Sequence, residues 1–374
     1  MNIFPPASSP ITSISVPTNF QRFLEKISQT FVGRQFAFAA LSDFFQKCDR
    51  GYFTLTRSPG TGNTAILAKY LIQHPNILYY SAQHSNNQHP DRFLHTLCTQ
   101  LLNYLKTITA DCSYEVLPNN ATQGSNFLSL LLQKISDKLP SSQPLIIALD
   151  ALDRADLNNH PPGSNLFYLP RYLPPHIYFF LSRRPFPLEK SGLLIEAPNQ
   201  TLNLDHYPNQ NQLDIHTYLQ QSLTSTKQGA AIRDYLNTQH ISEAEFYPSL
   251  TAASENNFMY LSKLLSTIAQ GTYLHPLERD RLHPELEHYY QQHWQQMRGK
   301  RLSSIAHLVL RILVQQDKPM SVEAIAATIG KEEYEVAKVL ENWIEFLNPQ
   351  LMQGTHCYKF YHSSFRNFLS QKLS

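Results

Sequence analysis

Residues 57–64 read Arg57-Ser58-Pro59-Gly60-Thr61-Gly62-Asn63-Thr64 and stand between a β-prone run, Tyr52-Phe53-Thr54-Leu55-Thr56, and a helix-prone segment, Ala65–Ile72. Strand, glycine turn, helix is the arrangement a phosphate cradle requires, because the backbone N–H groups of the turn and of the helix's first turn converge on an anion. In the complete frame, G-x-x-x-x-G-K-[ST], lysine reaches the β and γ oxygens and Ser/Thr holds Mg²⁺. This chain keeps Gly60, Gly62 and Thr64, but places Arg57 where the first glycine belongs and Asn63 where the lysine belongs. Clusters of Gly, Pro, Ser and Thr also form ordinary turns, so the flanking strand and helix carry the assignment. Pro59, Gly60, Thr61, Gly62, Asn63 and Thr64 are the candidate phosphate contacts.

At 374 residues the chain is long enough for two or three domains, each with its own core. Residues 1–17, rich in Pro, Ser and Thr, suggest a loosely ordered arm. Residues 18–205 read as an α/β domain. Strands are expected at 52–56, 77–81, 145–149, 177–181 and 201–204, with helices at 64–73, 91–105 and 127–139. This order predicts a parallel sheet with helices on both faces, and such sheets bind ligands at the carboxyl ends of their strands. Residues 206–300 carry helical patterns alone, at 211–223, 230–237, 257–268 and 284–297. Residues 301–374, with helices at 303–315, 322–328, 333–346 and 363–372 and a β-prone 357–360, look like a winged helix. Asn119, Asn120 and Gln123 read as a surface loop.

Charged residues make up 16% of the chain and the formal net charge is +2, which favours neither nucleic acid nor a membrane surface as a partner. The most apolar run, Leu145–Leu149, is far shorter than a membrane span, and no basic-then-apolar leader opens the sequence. Cys48, Cys98, Cys112 and Cys357 are widely spaced without a C-x-x-C pair, as expected of reduced thiols in a cytoplasmic protein.

A second candidate site is Pro144-Leu145-Ile146-Ile147-Ala148-Leu149-Asp150, followed by Ala151-Leu152-Asp153-Arg154. A buried strand ending in Asp delivers a carboxylate beside the phosphates, where it holds hydrated Mg²⁺; a core strand closed by an Asp turn reads the same way. Asp150 and Thr64 are therefore the candidate metal residues, and Asp153 either reinforces the metal or N-caps the next segment of chain. A third element is Tyr178-Phe179-Phe180-Leu181-Ser182-Arg183-Arg184-Pro185, whose arginine after a buried strand is suited to sensing a γ-phosphate and equally to a solvated turn. His283, His288 and His293 recur every five residues, a spacing that rotates them off a common helix face and argues against a metal site.

Taken in order, these three elements resemble the STAND class of P-loop NTPases, relatives of the AAA proteins that include the NACHT and NB-ARC switches. Phe31-Val32-Gly33-Arg34 looks like the segment these proteins place beside adenine, which implies nucleotide contacts for Val32, Gly33 and Arg34. Leu149–Asp153 is similar to the bacterial NACHT-like Walker B, and Ser182-Arg183-Arg184-Pro185 to a sensor in which Arg184 takes the arginine position. The resemblance thus implies catalytic roles for Asp150, Asp153 and Arg184. Asn256–Tyr260 and Leu282–Tyr290 with Trp294 look like the helical lid of bacterial members that often carry WD40 repeats, and Phe360–Leu369 resembles their winged-helix terminus. In related switches the histidine of that terminus touches the β-phosphate of ADP, a role that falls here to His362; packing between Tyr361 and Phe365 is the alternative reading.

The departures bear on turnover. Besides Arg57 and Asn63, Arg154 replaces the acidic residue that the family associates with activating water, and arginine stays protonated. A hydrogen bond to a charged group contributes roughly 1.5–3 kcal/mol, so neutral Asn63 weakens nucleotide binding by about tenfold to a hundredfold. Backbone donors remain, while the transition state loses a fixed cation. The expectation is an ATP/ADP-binding switch or assembly platform with weak or absent hydrolysis, using nucleotide, Mg²⁺ and a protein partner or self-assembly. Two rivals are a nucleotide-free adaptor and a DNA-binding winged-helix regulator; Glu332, Glu333 and Glu335 on the candidate recognition helix argue against the latter.

Overall fold

A computed structural model describes residues 24, 25, 27, 30–74, 77–83, 85–109, 117–140, 142–156, 163–186, 191–224, 227–271 and 284–373. The arm expected at 1–17, Cys112 and His283 lie outside them. The chain divides into two compact units: Met1–Arg57, Asn63–Arg184 and Leu188–Tyr207 form one, and Ser58–Gly62, Pro185–Pro187 and Pro208–Ser374 the other.

In the first unit, α1 (Gln35–Lys47) precedes β1 (Gly51–Thr56), α2 (Asn63–Gln73), β2 (Leu78–Ser81), α3 (Pro90–Ile108), α4 (Asn126–Ser136), β3 (Leu145–Asp150), β4 (Ile177–Arg183) and β5 (Asn199–Asn203). The five strands form a parallel sheet in the order β2-β3-β4-β1-β5. Every residue of β1, β3 and β4 is buried, as central strands covered on both faces require. Successive side chains divide between two cores. Tyr52, Leu145, Ile147, Leu149, Phe179 and Leu181 meet α3 and α4 on one face, while Phe53, Leu55, Ile146, Ala148, Tyr178 and Phe180 meet α1 and α2 on the other. Removing one of these rings, as in Phe179→Ala, is of the kind that costs about 3–5 kcal/mol. Polar Asn199-Gln200-Thr201 suits β5 to its place at the sheet edge.

The expected strands and helices of this unit are present within a few residues of the sequence reading. Placing β4 between β1 and β3 is what the sequence order did not reveal. It sets Ser182, Arg183 and Arg184 between the glycine-loop strand and the Asp150 strand at the carboxyl edge.

The second unit contains α5 (Pro208–Thr224), α6 (Lys227–Gln239), α7 (Glu243–Ser254) and α8 (Phe258–Ala269), which share a core of Ile215, Leu219, Ile232, Phe246, Leu250, Leu261 and Leu265. Sequence reasoning missed α7 because Pro248 lies inside it. Its start is nevertheless fixed by a capping box, in which Ser242 Oγ accepts from Glu245 N and the Glu245 carboxylate accepts from Ser242 N. Next come α9 (Pro284–Arg298), α10 (Ser304–Gln315), β6 (Met320–Ser321), α11 (Val322–Ile329), α12 (Glu333–Asn342), β7 (Leu347–Met352), β8 (Thr355–Phe360) and α13 (Ser363–Leu373). The helix expected to run to Phe346 stops at Asn342, and the chain enters β7, hidden in the sequence by Pro349. That proline is tolerated because β7 is an edge strand in the antiparallel order β6-β8-β7. The core of this region includes Tyr290 and Trp294 of α9 together with Val309, Phe346, Phe360 and Phe365. Among the described residues, no helix is long and apolar enough to cross a membrane.

Candidate nucleotide site

β3 drives Asp150 into the interior, where it is 2% exposed. Its Oδ1 accepts from the Ser182 hydroxyl and from Thr64 Oγ1 at 3.2 Å, while Oδ2 is buried without a hydrogen-bonding partner. Burial pushes the carboxyl up to about 6; the Ser182 and Thr64 bonds pull against this, and the nearby Asp153 charge adds to it. A buried carboxylate oxygen left unbonded beside a threonine hydroxyl fits a hydrated Mg²⁺, which would supply the missing partner and the charge compensation. The sequence expectation that Thr64 stands beside Asp150 matches this bond. Ser182, whose side chain joins β4 to β3, carries no signal in the sequence for this contact.

The phosphate side is built differently. Arg57 is among the largest fully buried side chains, and its Nε lies 3.3 Å from Asp205 Oδ1. The guanidinium that takes the first-glycine position therefore has a carboxylate of its own. Asn63, the first residue of α2, donates from Nδ2 to Arg183 O at 3.1 Å, and its buried Oδ1 accepts nothing. Where lysine would carry charge to a phosphate, a neutral amide ties the helix N-terminus to the end of β4.

Asp153 neither caps a helix nor stands alone. Its Oδ1 accepts from Arg184 N at 3.0 Å, and its Oδ2 is 3.7 Å from the Nε atoms of both Arg184 and Arg154. The structure thus brings Arg184, the candidate sensor, to Asp153. Burial pushes Arg183 down to about 10, against the pull of Asp153, and Arg183 Nη1 donates to Ser191 O at 2.7 Å. Arg34 and Val32 are buried, and Gly33 and Arg34 both adopt left-handed backbone (φ 67° and 61°) where α1 begins; Arg34 O accepts from Ala37 N and Phe38 N.

Within the second unit, Gly60 and Asn257 meet closely. Asn257 Nδ2 donates to Pro59 O at 3.0 Å and Met259 N to Gly60 O at 2.8 Å, and a Cβ on Gly60 would lie 2.5 Å from Asn257 Oδ1. Gly60 also has φ 80°, so glycine is required there twice over. Thr61 donates from Oγ1 to Ser58 O. Asn257 came from the sequence as a helix start; its hold on the glycine turn was not legible.

His362 is 1% exposed. Its Nδ1 accepts from Ser364 N at 3.1 Å and meets Ser364 Oγ at 2.7 Å, and Nε2 is buried without a hydrogen bond. Burial lowers its basicity, opposed by Glu255. The ring packs on Tyr260 (4.3 Å), while Tyr361 and Phe365 stack on each other (5.0 Å), so the expected packing between those two rings is corrected. Of the other histidines, His293 is buried against Tyr361 and His288 is exposed, and the described residues contain no metal-ligand cluster.

The nephrocystin 3, N-terminal, family matches residues 40–167. No curated protein matches the chain. Among solved structures, the Walker-type ATPase of Pyrococcus abyssi has a TM-score of 0.57 at 12% identity over 91% of this chain and 96% of that one. A signal transduction ATPase with numerous domains (STAND) from Pyrococcus horikoshii, with a tetratricopeptide repeat sensor, has a TM-score of 0.37 at 15% identity over 92% of this chain and 43% of that one. The first likeness establishes the fold, that of a P-loop NTPase with a helical C-terminal part. The matched segment and this fold agree with the resemblance to STAND-class P-loop NTPases carried by the motifs.

Proposed function

We propose that this P-loop NTPase fold serves as an ATP/ADP-binding conformational switch or assembly platform whose hydrolysis is weak or lost. One observation carries the reading: the buried Asp150 beside Thr64 retains an unbonded oxygen suited to Mg²⁺, while Asn63 supplies no charge and Arg57 is matched by Asp205. Binding through backbone donors and a metal survives such a change, because it needs net attraction in the ground state. Turnover suffers more, since charge that develops on the transferring phosphoryl group needs a preorganised cation. Arg154, in the position of the family's water-activating acid, supports the same conclusion. Calorimetric titration tests it. Mg²⁺ is expected to strengthen ATP binding to the wild type and not to Asp150→Asn, and steady-state hydrolysis is expected to be near background. A robust ATPase rate abolished by Asp150→Asn overturns the non-hydrolysing part.

A nucleotide-free adaptor is the second reading, favoured by the hydrogen bonds that Asn257 and Met259 make to the Pro59 and Gly60 carbonyls. A ligand at a hundred times its Kd raises stability by about 2.7 kcal/mol. Failure of ATP and ADP to raise the melting temperature at millimolar concentration would select the adaptor.

A further inference from the structure

At the opposite edge of the sheet, where Arg50 leads into β1 and Leu173 to Pro175 lead into β4, lies a cleft of about 670 Å³. β1 is six residues long, so roughly 20 Å of strand separates this cleft from the Asp150 edge. We propose that it is a second binding site, independent of nucleotide, for an extended acidic peptide segment.

Three observations converge on that ligand. The first is charge. Among the described residues, Arg50 and Arg171 line the cleft and no carboxylate does. Arg50 donates from Nη1 to Leu173 O and holds Nε 3.4 Å from Asp49; Arg171 donates from Nη2 to Gly163 O and holds Nη1 only 4.0 Å from Glu196. A guanidinium has five N–H donors, so both retain capacity for an incoming carboxylate. The second is α4, whose Ser125, Ser129, Leu132 and Gln133 line one wall at helical spacing. Ser125, its N-cap, makes no side-chain capping bond, and the first turn carries no acidic residue, so the positive end of this helix adds to the two arginines. Between residues 125 and 133 the wall is about 12 Å long, the span of roughly four extended residues.

The third is rigidity of the facing wall. Phe167 and Tyr168 both hold φ near 55°, a backbone conformation costly to side chains with a Cβ, and Tyr168 lines the cleft. The turn is held by Asn165, which donates to Leu169 O and Leu194 O and accepts from Leu194 N, and by Phe167, buried at 4.8 Å from the Phe93 ring. Strain maintained in this way presents a preorganised surface. Next to it Tyr172 is 66% exposed; its hydroxyl donates to the Glu196 carboxylate that also faces Arg171, which leaves the ring as a platform for a proline or aromatic side chain of the peptide.

Fluorescence anisotropy of the full chain tests the proposal, with a labelled Glu-Glu-Pro-Tyr-Glu-Glu peptide as probe and its Gln-Gln-Pro-Tyr-Gln-Gln counterpart as reference. The acidic probe is expected to bind at least tenfold more tightly than the reference, and the double variant Arg50→Gln, Arg171→Gln to lose at least tenfold of that affinity with ATP affinity unchanged. Should the double variant fail to fold, Ser129→Glu, which sets a like charge on the α4 wall, is expected to give the same loss. Equal binding of the two peptides, or full binding by the folded variants, overturns the proposal. Displacement of the probe by citrate at the probe's own Kd also overturns it, in favour of a small-anion site.

Discussion

Asp150 keeps a buried carboxylate with one oxygen unbonded, whereas across the same sheet edge the buried cation Arg57 is matched by Asp205 and Asn63 adds no charge. One side is thus electrostatically unfinished and the other is closed. An unfinished buried charge is costly and persists where a ligand completes it; a matched pair is complete without one. The difference teaches that the two sides reach different electrostatic ends: the Asn63 amide is fastened to Arg183 O and Arg57 faces Asp205, while Asp150 keeps one carboxylate oxygen unbonded.

The largest effect expected is at the closed side. Arg57→Ala takes the guanidinium away from Asp205 and empties a fully buried volume, so unfolding free energy should fall by about 3–5 kcal/mol in urea titrations, with little change in ATP affinity beyond that. A stable Arg57→Ala protein that has lost nucleotide binding would break the comparison, because Arg57 would then be the phosphate-holding cation.

Asp150 makes the next largest. Its folded carboxyl titrates near 6 and its ordinary value is 3.8, so the folded state keeps its proton longer than the unfolded chain. Stability contributed by the protonated form is therefore lost as pH rises from about 4 to about 6, by about 3 kcal/mol in all. Asp150→Asn should lack this decline and be the more stable protein at neutral pH without Mg²⁺. Parallel pH profiles for the two proteins, read by thermal unfolding, would show that Asp150 is not an unfinished charge.

Asn63→Lys sharpens the comparison from the other direction. A returned cation should tighten ATP binding by about tenfold to a hundredfold, the equivalent of roughly 1.5–3 kcal/mol, less the bond to Arg183 O. Unchanged affinity would mean that the closed side does not approach a phosphate.

The smallest effect concerns His362. Truncation to Ala leaves the buried Ser364 N–H without its acceptor, at about 1–2 kcal/mol. If the resemblance to ADP-binding switches extends to this residue, ADP should also lose its stabilising effect; an equal loss with and without ADP makes His362 a packing residue on Tyr260.

Near-continuous apolar and β-prone runs bounded by turns, and helical spacing between them, made the parallel sheet legible, because strands buried on both faces tolerate little else. Gly60 and Gly62 were legible for a related reason, since their positive φ admits few residue types, and the expected nearness of Thr64 to Asp150 is seen as a hydrogen bond between them. Helix α7 and strand β7 were concealed by Pro248 and Pro349, whose local meaning was overridden by a capping box and an edge position. The strand order was decided only in three dimensions. With it came the Ser182–Asp150 bond, the Asn63–Arg183 tie, the Asp153–Arg184 contact and the burial of Arg57 on Asp205. These are pairings between residues far apart in the chain, and a sequence fixes which groups are available without stating which of them the folded backbone brings within 3 to 4 Å.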